Sequence, residues 1–255
     1  MNSLADNEKE LATTLAAARE NGTAITPIPV ALIPIDLESA YRTQHAILAL
    51  GHHAIAGWKV GTKSPEHPIR GAPLPAGAVL PSPALMQRHS YPVVGLELEI
   101  AFRFRQRFDS STYTYEEPEV LDAIDSVCAA IEVVSSRFAD WPDVDTTLQL
   151  ADLQNHGGLV VGEATSYAPD YPFVAPAVHF RFEGKEVAKQ RPANPAGDPR
   201  RLLTWVVNHC TSRGLAITPG TIITTGSYTG MYFPESLGVA IGEIDGIPPV
   251  QLALT

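Results

Sequence analysis

Three glutamates lie within apolar segments that predict β-strands, and their carboxylates are the side chains best suited to chemistry. In the strand predicted at residues 93–104, side chains alternate between the two faces, which puts Glu97 and Glu99 together on one face. Glu132 stands in the apolar run of residues 129–134. Two neighbouring carboxylates repel each other, and burying each one costs several kcal/mol unless a positive charge compensates.

A hard divalent cation is the simplest compensation. Mg²⁺ and Mn²⁺ prefer carboxylate oxygens and keep open positions for water and substrate. Glu97 and Glu99 also fit the solvated face of an antiparallel sheet, which needs no metal. The pattern alone does not show that Glu132 meets the other two, so on the residues alone both interpretations stay open.

The composition is that of an ordinary globular protein. The chain has 255 residues, of which 45% are hydrophobic and 18% charged, so it could form one large domain or a domain with a helical extension. Its net charge is −10 and it has no basic stripe, which argues against nucleic acid as a main partner. A small anion can still bind beside a metal inside an acidic protein.

We expect a cytoplasmic protein. Cys128 and Cys210 lie far apart and match no metal or redox motif, which favours a reducing compartment. Residues 1–10 lack the basic and apolar regions of a secretory signal. No apolar run approaches the roughly 18 residues that span a bilayer, so we expect no membrane partner.

The first fifth of the chain predicts two helices. Leucines and alanines recur near helical spacing over residues 3–20, and Asn21-Gly22 supplies a stop. After a proline-rich stretch, Asp36 is a candidate N-cap for a second helix from Leu37 to about Leu50, which Gly51 closes. These helices predict an N-terminal cap that packs on the rest of the chain.

The next segment combines one short strand with a region rich in proline and glycine. Residues 55–61 predict a strand bounded by glycines, in which Lys59 projects to the face opposite Trp58 and Val60. An exposed strand lysine is the plain interpretation of Lys59. Residues 64–86 carry seven prolines or glycines between Pro68 and Pro83 alone, and we predict a long surface loop there.

The remainder predicts mostly β-structure. The predicted elements are a helix at 116–130 that runs into the Glu132 strand, a buried strand at 159–161, a hairpin at 178–188 turning at Glu183-Gly184, a helix at 199–212, and strands at 221–225, 238–244 and 250–254. Strict alternation of strands and helices is absent, which argues against a doubly wound sheet. No dinucleotide, phosphate-loop or Gly-x-Ser-x-Gly motif occurs, so neither nucleotide cofactors nor a serine nucleophile has support.

Five motifs in this order resemble those of the 2-keto-4-pentenoate hydratases and the 4-oxalocrotonate decarboxylases, which belong to the fumarylacetoacetate hydrolase superfamily. The resemblance runs from the second predicted helix to the C-terminus, and five ordered motifs are far more specific than any one alone. They are GWKVG at 57–61, GLELEIAF at 95–102, IEVVSSR at 131–137, the segment from Ala151-Asp152 to Val161-Gly162, and PGTIITTGSYTG at 219–230.

The resemblance implies an α+β fold: a mixed β-roll of the fumarylacetoacetate hydrolase C-terminal-domain type with an N-terminal helical cap. We place the cap at residues 1–54 and the catalytic roll at residues 55–255, within one continuous globular unit. The family holds a divalent metal, Mg²⁺ or Mn²⁺, with three carboxylates. Those positions match Glu97, Glu99 and Glu132, the residues that the apolar context had already singled out.

The resemblance also implies roles for other side chains. Lys59 matches the lysine that family members place over the substrate, where it can act as a general acid–base or bind a carboxylate. Asn155 falls where hydratases often have a pocket serine, with His156 as a weaker candidate if the alignment slips by one. Ser227 and Thr229 lie in the family's late loop, whose hydroxyl and N–H groups could bind a substrate carboxylate.

The expected reaction is the hydration of 2-hydroxypenta-2,4-dienoate to 4-hydroxy-2-oxopentanoate in aromatic catabolism. Three alternatives stay open: a decarboxylase of the 4-oxalocrotonate type, a hydrolase that cleaves a C–C bond in an acylpyruvate, and a non-catalytic partner subunit that kept the fold. The expected partners are a small 2-oxo or 2-hydroxydienoic acid, further copies of the chain in a homo-oligomer, and an enzyme of the same pathway.

One departure from the family bears on the reaction. Hydratases usually carry an aspartate for proton transfer in the segment that aligns with residues 74–80, and this chain has no acidic residue there. Either another group takes that task, with Glu66 and His67 as candidates, or the reaction is not hydration of the usual dienoate.

Overall fold

The computed structural model describes residues 4–188 and 192–255, which form five α-helices and thirteen strands. The elements, in chain order, are α1 (Asp6–Asn21), α2 (Leu37–Leu50), β1 (Ile55–Gly61), β2 (Arg70–Pro75), β3 (Val79–Pro81), β4 (Ala84–Met86), β5 (Gly95–Phe104), α3 (Glu117–Asp122), β6 (Ile124–Val134), α4 (Thr146–Ala151), β7 (His156–Val161), β8 (Thr165–Ser166), β9 (Val178–Phe182), β10 (Lys185–Glu186), α5 (Arg201–Thr211), β11 (Ile222–Ser227), β12 (Gly238–Ile244) and β13 (Ile247–Leu254).

Two sheets carry the structure. The larger, eight-stranded sheet has the order β2-β1-β11-β5-β6-β7-β3, with β8 paired to β6. It is mixed, because β1 pairs with β11 and β3 with β7 in parallel, whereas its other pairs are antiparallel. The second sheet has the order β10-β9-β12-β13-β4. Mixed sheets with helices before them confirm the predicted α+β class.

The main hydrophobic core lies between these two sheets. Leu96, Leu98 and Ile100 of β5 are fully buried in it, together with residues of β12 and β13 such as Ala240 and Val250. Since alternate residues of a strand face opposite ways, the glutamates of β5 lie on the other face of the large sheet. The core therefore fixes the direction in which the carboxylates point.

Both N-terminal helices are confirmed. α1 ends at Asn21 and is capped by Gly22, which has the left-handed conformation (φ 62°) that favours glycine. Residue 3, where the helix was predicted to begin, lies outside the described residues. α2 begins after Asp36, whose carboxylate accepts a hydrogen bond from the Ser39 N–H at 2.7 Å. The division of the chain into a cap of residues 1–54 and a catalytic domain of residues 55–255 stays a prediction.

The prediction of a surface loop over residues 64–86 is wrong. This segment contains β2, β3 and β4, and the interior of β2 is buried. Each of the three strands is an edge strand of its sheet. Proline lacks an N–H donor, so it is tolerated on an edge strand, where one side of the backbone has no strand partner. Proline content alone therefore did not exclude strands here.

The prediction of a helix over residues 116–130 is wrong beyond Asp122. α3 ends there and β6 begins at Ile124. The apolar residues from Val120 to Cys128 fit a helical period, but the segment pairs with β5 over a long antiparallel register that begins at Phe104 opposite Ile124. Long-range pairing, which local spacing does not reveal, decides the conformation.

The other predicted elements are confirmed within a few residues: the hairpin of β9 and β10, the helix α5, and the strands β7, β11, β12 and β13. The hairpin turns at Glu183-Gly184, both with positive φ (48° and 74°). In the part of the chain that the structure describes, no helix combines the length and the apolar character needed to cross a membrane.

Gly57 allows β1 to approach β11. It lies opposite Ile222 in the parallel register, and a Cβ at this position would fall 2.2 Å from the Ile222 carbonyl oxygen. Gly61, in the same strand, has no atom within 4 Å of the equivalent position. The strand that carries Lys59 therefore depends on a glycine at one position and tolerates a methyl group at the other.

We expect Gly57→Ala to lower the free energy of unfolding by about 1–3 kcal/mol, because the added methyl group overpacks the β1–β11 contact. Gly61→Ala is the matched control and should change the stability by less than about 0.5 kcal/mol. Urea denaturation of the two variants measures the difference. Equal losses of stability would contradict the close approach of the two strands.

Candidate active site

The three predicted carboxylates meet on one face of the large sheet. Glu97 lies directly opposite Glu132 in the antiparallel register of β5 and β6, and Glu99 is two residues further along β5 on the same face. One carboxylate oxygen from each residue lies within 4.8 Å of the other two. Glu99 and Glu132 are buried, at 2% and 1% exposure. The solvated-face interpretation therefore does not hold for these two glutamates.

Burial and mutual repulsion act on Glu99. Burial, followed by the negative charges of Glu132 and Glu97, raises the pKa of the Glu99 carboxyl to about 8. Its carboxylate accepts hydrogen bonds from the Thr224 hydroxyl and from the Gly226 N–H at 2.9 Å, both on β11. The backbone of β11 and the Thr224 side chain therefore hold Glu99 in place.

Glu132 has different neighbours. Burial alone would raise the pKa of its carboxyl, but the positive charge of Lys59 and a hydrogen bond from His156 hold that pKa below its usual range. The Lys59 ammonium donates to Glu132 Oε1, and His156 Nδ1 lies 3.3 Å from the same oxygen. Burial lowers the pKa of His156 to about 4, so its imidazole is neutral at pH 7.

The donor set fits a hard divalent cation. It consists of carboxylate oxygens alone, which is the chemistry that Mg²⁺ and Mn²⁺ select. Burial and the neighbouring carboxylates raise the pKa of Glu99, and a bound cation would stabilise its ionised form. Glu97, Glu99 and Glu132 thus pass the chemical test for a metal site.

A cleft of about 550 Å³ opens beside these carboxylates. Most of its lining residues are polar or charged, and Val134, Trp141, Leu150 and Met231 add apolar surface. The polar and charged lining residues are Lys59, Thr62, Lys63, His67, Arg70, Glu97, Thr146, Gln149, Gln154 and Asn155. Lys59 and Glu97 join the cleft to the carboxylate cluster, so a small acid bound there would reach both.

The other predicted binding residues lie in different places. Asn155 lines the cleft; its Nδ2 donates to Gln149 at 3.2 Å, and its Oδ1 has no partner among the described residues. Ser227 and Thr229 are not among the described residues that line the cleft. The Thr229 hydroxyl is buried and accepts from the Leu98 N–H at 3.2 Å. Those two residues contact the strand that carries Glu99.

Glu66 and His67, the candidates for the task of the missing aspartate, lie in different surroundings. His67 lines the cleft, whereas Glu66 is exposed and accepts a hydrogen bond from the Ser64 hydroxyl at 2.7 Å. The His67 Nδ1 lies 2.9 Å from the same hydroxyl.

The sequence gives no sign of several contacts of the site. Thr224 and Gly226 belong to the motif at residues 219–230, but nothing in that pattern indicates that they bind Glu99. The Gln154 carbonyl accepts a hydrogen bond from Lys59 at 3.1 Å, and Arg19 donates to the His156 carbonyl at 2.8 Å. Backbone carbonyls and a helix more than 100 residues away leave no local sequence signal.

Several known proteins are similar to this chain in sequence. No protein-family model matches the chain. A 2-keto-4-pentenoate hydratase of Burkholderia vietnamiensis (strain G4 / LMG 22486) is 25% identical over 255 residues, which cover 96% of each chain. A 4-oxalocrotonate decarboxylase of a Pseudomonas species is 27% identical over 138 residues, covering 52% of this chain and 50% of the relative.

Solved structures share the fold. The 4-oxalocrotonate decarboxylase of Pseudomonas putida G7, complexed with magnesium and adipate, superposes over all of both chains with a TM-score of 0.86 at 20% identity. The fumarylpyruvate hydrolase of Pseudomonas aeruginosa, in complex with Mn²⁺ and pyruvate, covers 78% of this chain and 88% of that one, with a TM-score of 0.57 at 14% identity. The fold is therefore of the fumarylacetoacetate hydrolase type. In sequence, the chain is similar over nearly its full length to 2-keto-4-pentenoate hydratases and over half its length to a 4-oxalocrotonate decarboxylase.

Proposed function

We propose that the chain is a divalent-metal-dependent lyase that hydrates 2-hydroxypenta-2,4-dienoate to 4-hydroxy-2-oxopentanoate in aromatic catabolism. One observation carries the proposal: three convergent carboxylates adjoin a cleft of suitable size into which Lys59 also projects. The near full-length similarity to a 2-keto-4-pentenoate hydratase supports the choice of reaction.

Glu97, Glu99 and Glu132 would hold Mg²⁺ or Mn²⁺. When bound, such a cation supplies electrophilic stabilisation of negative charge on the C2 oxygen of a 2-oxo acid. The protein holds the three carboxylates ready: Thr224 and Gly226 bind Glu99, while Lys59 and His156 contact Glu132. This support keeps the carboxylates together despite their repulsion.

Lys59 is the proposed general acid–base. Its ammonium contacts Glu132 and the Gln154 carbonyl, and its side chain is only 13% exposed. In the hydration, C5 of the dienol gains a proton while the C2 hydroxyl loses one, which gives a 2-oxo-3-enoate. Water then adds its hydroxyl at C4 and its remaining proton reaches C3, so that one water molecule enters and no group leaves. A single ammonium beside the cleft can deliver the proton to C5 and be restored by the proton that the C2 hydroxyl loses.

Asn155 is the proposed substrate-binding residue within the cleft, because its amide oxygen lacks a partner among the described residues. Ser227 and Thr229, also proposed for substrate binding, would act through the loop that follows β11. We also propose that the protein is a cytoplasmic homo-oligomer and that it associates with an enzyme of the same pathway. Cys128 and Cys210, both buried free thiols, fit a reducing compartment.

Decarboxylation of a keto-diacid such as 4-oxalocrotonate is the second candidate, and Arg70 and Lys63 favour it. Both cations line the cleft beyond Lys59, and neither has an ion-pair partner within 4 Å among residues 4–188 and 192–255. Arg70 lies two residues from the partner of Lys59 on β2, so both side chains face the same way. A second carboxylate on the substrate would satisfy these charges.

The first test is an assay of 2-hydroxypenta-2,4-dienoate hydration with and without EDTA. We expect metal-dependent turnover that falls by at least about 100-fold in Glu99→Gln and in Lys59→Met, because each removes a group aimed at the reaction. Glu243→Gln, which alters an exposed carboxylate on the second sheet, is the control and should retain full activity. Turnover that survives EDTA, or that survives Glu99→Gln, would contradict the proposal.

The pKa of Glu99 predicts proton release on metal binding. At pH 7 the metal-free carboxyl is mostly protonated, since its pKa is raised to about 8, and a cation must displace that proton. Calorimetric titration with Mn²⁺ in buffers of different ionisation enthalpy should therefore show release of close to one proton at pH 7, falling towards zero about one unit above the Glu99 pKa. Affinity should rise with pH over this window. Binding without proton release at pH 7 would contradict the shared site.

The two candidate reactions are separated by Arg70. If the substrate is a keto-diacid, Arg70→Met should lower kcat/KM for CO₂ release from 4-oxalocrotonate by about 10–100-fold, because a carboxylate loses a charged donor. Hydration of the monoacid should stay within about twofold. Arg107→Met, at an exposed arginine that is absent from the cleft lining, is the control. No CO₂ release from the wild-type protein would rule out the decarboxylase.

A further inference from the structure

The turn between α4 and β7 has an unusual backbone conformation. Leu153, Gln154 and Asn155 have φ angles of 50°, 52° and 57°. Residues with a Cβ atom rarely adopt this left-handed region, and three in succession are disfavoured by local sterics. Contacts from outside the turn must therefore hold it, and such held strain commonly marks a functional site.

Arg19 of α1 contacts both ends of this turn. Its Nη1 donates to the carbonyl of His156, the residue after the turn, at 2.8 Å. Its Nη2 lies 3.6 Å from Oδ1 of Asp152, the residue before the turn. Asp152 is fully buried and accepts its hydrogen bonds from Arg137, from the backbone N–H at 2.9 Å and from Nε at 2.7 Å. One guanidinium thus joins the two ends of the turn.

Residues 154 and 156 contact two groups of the proposed active site, Lys59 and Glu132. The Gln154 carbonyl accepts a hydrogen bond from the Lys59 ammonium at 3.1 Å. The His156 ring places Nδ1 3.3 Å from Glu132 Oε1. An ionised carboxylate only accepts hydrogen bonds, so this imidazole nitrogen is the donor. The conformation of residues 153–156 therefore helps to set where Lys59 and Glu132 point.

We propose that Arg19 is a positioning residue of the active site: through its hydrogen bond to the His156 carbonyl and its ion pair with Asp152, it holds the left-handed turn that orients Lys59 and Glu132. Helix α1 then takes part in the reaction although it supplies no carboxylate ligand. The inference rests on the proposed function, in which Glu132 is a metal ligand and Lys59 the acid–base. Loss of an outer partner that orients a metal ligand typically lowers metal affinity or activity by about 10–100-fold.

The test compares Arg19→Met with Arg42→Met. Arg42, on α2, forms a bidentate ion pair with Glu8 of α1, with Nη2–Oε1 and Nε–Oε2 distances of 2.5 and 3.2 Å, and its side chain makes no hydrogen bond to the turn. The control therefore removes another ion pair of the same helix. Two readouts are used: Mn²⁺ affinity by calorimetric titration, which needs no substrate, and the separate values of kcat and KM for 2-hydroxypenta-2,4-dienoate.

We expect Arg19→Met to weaken Mn²⁺ binding by about 10–100-fold and to lower kcat more than it raises KM, because Arg19 acts through Glu132 and Lys59. Arg42→Met should keep both quantities within about twofold. If Arg19→Met does not fold, Arg19→Lys keeps the charge, but its compact ammonium lacks the planar fork that reaches both ends of the turn. A folded Arg19→Lys should still bind Mn²⁺ several-fold more weakly than the wild type.

Two results would overturn the inference alone: Mn²⁺ affinity and kcat within about twofold of wild type in a folded Arg19 variant, or equal losses in Arg42→Met. A wild-type protein that binds no Mn²⁺ would instead overturn the metal site of the proposed function, and this inference with it. The wild-type titration therefore distinguishes the two failures.

Discussion

Glu97 directly opposite Glu132 on neighbouring antiparallel strands is the interaction on which the rest of the site depends. Like charges at such a cross-strand pair destabilise a sheet, and Glu99 adds a third carboxylate to the same face. The protein meets this repulsion with local donors instead of separating the groups: β11 binds Glu99, and Lys59 contacts Glu132. The carboxylates are thereby confined to a volume that one cation can span.

This arrangement requires a curled sheet. Lys59 lies on β1, and β11 and β5 stand between β1 and β6 in the strand order. In a flat sheet with about 4.8 Å between strands, β1 and β6 would be about 14 Å apart, too far for the contact between Lys59 and Glu132. Curling brings the two strands towards each other across the concave face, and the close approach of β1 to β11 at Gly57 belongs to the same geometry.

The sequence predicted the carboxylates because acidic residues in apolar strands are anomalous wherever the strands lie, and alternation predicted the shared face of Glu97 and Glu99. The sequence-based prediction failed at segments whose conformation depends on their position in the tertiary structure. Residues 64–86 form edge strands, and nothing local tells an edge from a loop when prolines abound. The strand after Asp122 depends on pairing with β5. The left-handed turn at residues 153–155 contains no glycine, so the sequence gives no sign of its conformation or of its contacts with the site.

Charge balance connects the site to its surroundings. Glu99 and Glu132 are buried beside the Lys59 ammonium, and a divalent cation would add the positive charge that lets all three carboxylates ionise together. Behind them, Arg19 and Arg137 share one carboxylate, Asp152, and burial lowers the pKa of Arg19 to about 9, so it stays protonated at pH 7. The turn between these two clusters carries strain of about 1–3 kcal/mol per left-handed residue. The buried Arg19 opposes release of that strain, because opening the turn would take the His156 carbonyl away from its Nη1.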